Sequence, residues 1–227
     1  MPTRSARTLQ VLAEEAASGG ERADWARAAL DYMSGPRANK LQGLGVDKAL
    51  TVCALDHDPF LREIAAFALN FWEGDASERE QLEQLLVKLA VDSGQGEEDL
   101  AQIREEENKA EEAITKVPGL RIRYNATVAL ARRGSDKTPL GVLQEMLDEA
   151  LQRQYFVLKG KGGEETPDET TAQTTLVSAL QAVGELHQRR PQRDLTTLLG
   201  EIEQIAQSKN AALQTEAKRT LRALGRE

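Results

Sequence analysis

The stretch Arg62-Glu63-Ile64-Ala65-Ala66-Phe67-Ala68-Leu69 decides how this chain is read. Ala65, Ala68 and Leu69 are spaced three and four apart, so they share one face of a helix. The same pattern, two small residues three apart followed by Leu or Val, recurs along the chain. Its other copies are Ala26, Ala29 and Leu30; Ala126, Ala129 and Leu130; Ala179, Ala182 and Val183; and Ala217, Thr220 and Leu221. Small residues let a neighbouring backbone approach, and the branched residue fills the seam beside them. The anchors Leu30, Leu69, Leu130, Val183 and Leu221 are separated by 39, 61, 53 and 38 residues. The first and last intervals lie near the roughly 40-residue period of arrays of helical hairpins. The two longer ones read as that period carrying insertions of about 20 and about 15 residues.

A second amphipathic helix is predicted before each copy, near 5–17, 47–56, 77–91, 138–152 and 193–207. Leu82, Leu85, Leu86 and Leu89 form the clearest apolar stripe. Ser77 with Glu80 is a capping box, and Asp58 followed by Pro59 reads as an N-cap and first helical residue. Gly35, Gly74, Gly134 and Gly225 stand where the second helices should end, and Pro191 stops the fourth. The resulting hairpins span about 5–34, 47–73, 77–133, 138–189 and 193–225.

Asp58, Pro59, Arg62, Ala65, Ala66 and Leu69 resemble the HEAT repeat hairpin, in which an Asp and often a Pro occupy the turn before an Arg and an Ala-rich second helix. The third copy departs from that pattern, with Val117-Pro118-Gly119 at the turn, although Arg123 is retained. The first, fourth and fifth copies lack the Arg. The resemblance implies an all-α fold, a right-handed superhelical solenoid of about five HEAT-like hairpins, with the second helices lining the inner surface.

Composition agrees with a helical chain. Aromatics make up only 4% of residues, too few for an ordinary sandwich or barrel. The net charge of −8 argues against nonspecific nucleic-acid binding and against adhesion to anionic membranes. No apolar run reaches the roughly 18 to 20 residues of a membrane span, and Met1-Pro2-Thr3-Arg4-Ser5 is not a signal core. A cytoplasmic location is expected. Cys53 is the one cysteine, in the apolar run Leu50 to Leu55, and reads as a small core residue. His57 and His187 have no metal-ligand spacing. No catalytic residue, cofactor or metal is expected. Trp25, Tyr32 and Met33 leave an apolar patch in the first hairpin through which copies could associate.

Both insertions fall between the two helices of a hairpin, along the edge where solenoids often carry binding surfaces. Residues 92–118 hold nine carboxylates against three bases, and a helix is predicted over about 97–115. Residues 154–170 contain Gly160, Gly162, Gly163 and Pro167 and read as a flexible loop. Tyr155 and Phe156, at its start and before the glycines, could pack on the core or anchor a partner. Arg121, Arg123, Arg132, Arg133 and Lys137 make a basic stretch. It either neutralises the acidic insertion or receives an anionic ligand. The function expected is non-catalytic protein–protein recognition by the inner surface and the two insertions. The candidate partner-binding residues are Arg62, Arg121, Arg123, Glu105, Glu106, Glu107, Tyr155 and Phe156. The resemblance leaves a second class open. Some HEAT-like proteins are phycobilin lyases, which would show an apolar tetrapyrrole-sized pocket, and others are DNA glycosylases, which would show a basic groove.

Overall fold

A computed structural model describes residues 46–57, 59–71, 79–94 and 111–226. The hairpin predicted at 5–34 lies outside the described residues, as do Asp58, Ser77 and Glu105, Glu106 and Glu107. The chain is mostly helical. In order the described helices are α1 (Val46–Ala54), α2 (Pro59–Ala68), α3 (Arg79–Leu89), α4 (Leu120–Arg132), α5 (Leu140–Leu147), α6 (Glu149–Tyr155), α7 (Glu169–Arg189), α8 (Leu199–Ile205) and α9 (Ala211–Ala223). The helix predicted over 138–152 is divided, because Asp148 turns extended and its carboxylate caps the amides of Ala150 and Leu151.

The recurring small residues explain how the helices meet. Helix α2 packs on α4, α4 on α7, and α7 on α9. Ala65, Ala126, Ala129, Ala179, Ala182 and Ala217 are all fully buried. Thr220 takes the place of an Ala without leaving its hydroxyl stranded, since Oγ1 lies 3.2 Å from the Leu180 carbonyl oxygen and 3.0 Å from that of Glu216. Helix α4 buries both sides. Ile122, Ala126, Ala129 and Leu130 join a core with α1, α2 and α3. Leu120, Tyr124, Val128 and Ala131 join a second core with α5, α7, α8 and α9. Gly134 and Gly225 end α4 and α9 in the left-handed conformation.

The mostly helical fold agrees with the all-α expectation, but the two insertions differ from their predicted helix and loop and form a small three-stranded sheet. The segment Glu111–Thr115, predicted to end a helix over 97–115, is strand β1. The segment predicted to be a flexible loop is a hairpin of β2 (Phe156–Gly160) and β3 (Glu165–Pro167). Strand β2 pairs antiparallel with both neighbours, with Ile114 opposite Val157 and Leu158 opposite Thr166. The physical reason is that Phe156 and Val157 are buried, which favours an extended backbone packed on the core. The Gly-rich run closes the hairpin tightly, with the Gly160 amide donating to the Glu164 carbonyl at 2.9 Å. Among the described residues no helix is long and apolar enough to cross a membrane.

Candidate partner-binding groove

Three helices each present a stripe of residues to one shared depression. On α2 and the turn after it the stripe is Glu63, Phe67, Asn70 and Phe71. On α4 it is Arg121, Tyr124, Asn125, Val128 and Arg132, and on α7 it is Thr171, Thr174, Thr175, Ser178 and Gln181. The spacings of three and four put each stripe on one helix face. Because α2, α4 and α7 pack in succession, the stripes together line a groove of about 200 Å³. Asn70 ties two of its walls, its Nδ2 donating to the Phe67 carbonyl at 3.2 Å and across to the Asn125 carbonyl at 3.3 Å. Phe71 stands at one end, 52% exposed, with its ring edge-on to Phe67 at 5.4 Å.

The sheet furnishes the other end. Arg121 Nε donates to Thr115 Oγ1 of β1 at 3.0 Å. The Arg121 guanidinium lies over the Phe156 ring of β2, 5.6 Å from its centre. Phe156 in turn meets Tyr124 edge-on at 6.4 Å. Both insertions therefore contribute one residue to holding a single arginine. Below the groove, the Tyr124 hydroxyl donates to Glu145 Oε1 at 3.1 Å. Gln152 Nε2 donates to the Tyr124 hydroxyl oxygen at 3.2 Å and to the Glu145 carbonyl at 2.7 Å.

Burial pushes the Tyr124 phenol well above its ordinary value near 10, and the neighbouring Glu145 carboxylate adds to the rise. A raised folded-state pKa means that the native state keeps a proton which the unfolded chain gives up above about pH 10. Stability from this group is complete below that pH and declines as pH rises above it. We expect denaturation midpoints to fall more steeply between about pH 10 and about pH 11 in the parent than in Tyr124→Phe. Parallel declines in the two proteins would disprove the assignment.

The structure places the sequence candidates unevenly. Arg62 is buried, and its guanidinium pairs with Asp92 at 2.6 Å and donates to the carbonyls of Asp56 and His57. Arg123 faces Glu145 at 3.5 Å, away from the groove lining. Phe156 is 2% exposed and serves both the core and Arg121. Tyr155 is partly buried and borders a separate depression with Lys116, Val157 and Pro167. Glu105, Glu106 and Glu107 lie outside the described residues. Of the eight, Arg121 and Phe156 come together at the groove. The basic stretch finds its described carboxylates on other helices: Arg123 with Glu145, Arg132 with Glu185 and Lys137 with Glu83. The polar stripe of α7 was missed in the sequence, although Thr171, Thr174, Thr175 and Ser178 carry a helical spacing of hydroxyl residues opposite Leu176, Ala179 and Val183.

Compared with known proteins, the chain matches no family model, no curated protein and no solved structure.

Proposed function

We propose that this chain is a non-catalytic protein-interaction module, a HEAT-like solenoid whose second helices receive an extended segment of a partner protein. The observation that carries this reading is the groove along α2, α4 and α7. Its lining mixes unburied aromatic surface with amide and hydroxyl side chains, the combination that anchors a peptide and satisfies its backbone. The succession of α2, α4, α7 and α9, each packed on the next, supports the solenoid. Contacts of α1 with α3 and of α5 with α8 support a second layer formed by the first helices. The sheet at the rim extends the same surface through Phe156.

Binding to peptides selected from a display library tests this reading. Ser178→Arg fills the groove from an α7 position that no core uses, and about a tenfold loss of affinity is expected. Thr166→Arg, on the exposed strand β3, should leave affinity within about twofold. If Thr166→Arg abolishes binding and Ser178→Arg spares it, the inner groove is not the site.

A further inference from the structure

We infer that the partner segment is acidic, with a carboxylate held by Arg121 and an apolar side chain placed against Phe71 about five residues away. The inference rests on the groove reading and names the chemistry of its occupant. Arg123, Arg132 and Lys137 are each matched to a carboxylate of the chain, and Arg62 to Asp92. Arg121 has no carboxylate partner among the described residues, and only its Nε hydrogen-bonds.

Arg121 is also held ready. Thr115 fixes Nε and the Phe156 ring supports the guanidinium plane, so little side-chain freedom is lost when a ligand binds. The two terminal nitrogens remain, and their fork matches a carboxylate. At the far end, the Arg132 guanidinium lies 5.8 Å from the centre of the Phe71 ring, which places Phe71 beside Arg132. Arg121 and Arg132 are eleven residues apart on α4. Eleven residues of helix rise about 16 Å, and an extended peptide covers that in about five residues. A nucleic-acid strand fits less well, since it needs several cations along its backbone and the groove also carries Glu63.

The test is a selection from a randomised dodecapeptide display library on the full chain and on Arg121→Glu. The parent should enrich Asp or Glu five residues from an aliphatic or aromatic residue, and Arg121→Glu should enrich Lys or Arg at the acidic position. A parent-selected peptide should bind Arg121→Gln about tenfold more weakly, with Arg121→Lys between the two. An oligothymidine should not displace it. Peptides sensitive to Ser178→Arg but without the acidic preference would overturn this inference and leave the groove reading standing. So would displacement by oligothymidine. Peptides insensitive to Ser178→Arg would overturn both.

Discussion

Replacing Arg62 by Ala should destabilise the chain by about 3–5 kcal/mol, the range for removing one partner of a buried ion pair. The side chains of Arg62 and Asp92 are 8% and 11% exposed, so neither charge is well hydrated. Two parallel bonds join them, Nε to Oδ2 at 2.6 Å and Nη2 to Oδ1 at 3.1 Å. Nη1 reaches back to the carbonyls of Asp56 and His57, just past the end of α1. One guanidinium thus links the end of α1, helix α2 and the segment leaving α3. Alanine leaves the Asp92 carboxylate with the Gly94 amide at 2.8 Å and removes the donor that the two carbonyls share. For a chain of this length the loss corresponds to a melting point about 10 °C lower. Asp92→Asn leaves the Arg62 guanidinium charged and buried, but the amide oxygen still accepts one of its two bonds, so a loss of the same kind and smaller size is expected. A change below about 1 kcal/mol in Arg62→Ala would show that the pair is solvated.

Gly119→Ala should cost about 2–5 kcal/mol, from left-handed strain and overpacking together. Gly119 has φ +68° and stands immediately before α4. A methyl group there would lie 2.6 Å from the carbonyl oxygen of Asp92 and 2.6 Å from the amide nitrogen of Gly94. Gly94, at φ +73°, is as tightly opposed by Pro118 and Gly119. The two glycines pinch the ends of the 92–118 insertion together, so the chain departs from and returns to one point. Gly163→Ala supplies the control, since φ is +82° there and a methyl group would meet nothing within 4 Å. It carries only the conformational cost of about 1–2 kcal/mol. Equal losses in the two variants, measured by denaturant unfolding, would contradict the pinch.

The helical part of the fold was legible because its signal is local. Ala65 with Leu69, Ala129 with Leu130 and Ala182 with Val183 recur at spacings that only a helix face explains, and they are buried where α2, α4, α7 and α9 meet. The sheet was illegible for the opposite reason. Ile114 and Val157 pair across more than forty residues of sequence. Glu111 and Glu112 follow a charge-rich run that reads as helix, and Gly160 to Gly163 read as loop. Arg62 reads in the sequence as the Arg of a HEAT-like turn and as a partner-binding candidate, whereas its partner Asp92 stands thirty residues further on. Arg121 was singled out with the whole basic stretch. What distinguishes it is its place between Thr115 of β1 and the Phe156 ring of β2, which depends on how the two insertions pair in space.

Hydrogen–deuterium exchange of the full chain, with and without a display-selected peptide, tests the central claim most directly. If the inner groove receives the partner, added protection should appear together at 63–71, 121–132 and 171–181, the three segments that line it. Protection confined to 111–116 and 156–167, with those three segments unchanged, would place binding on the sheet and contradict the account.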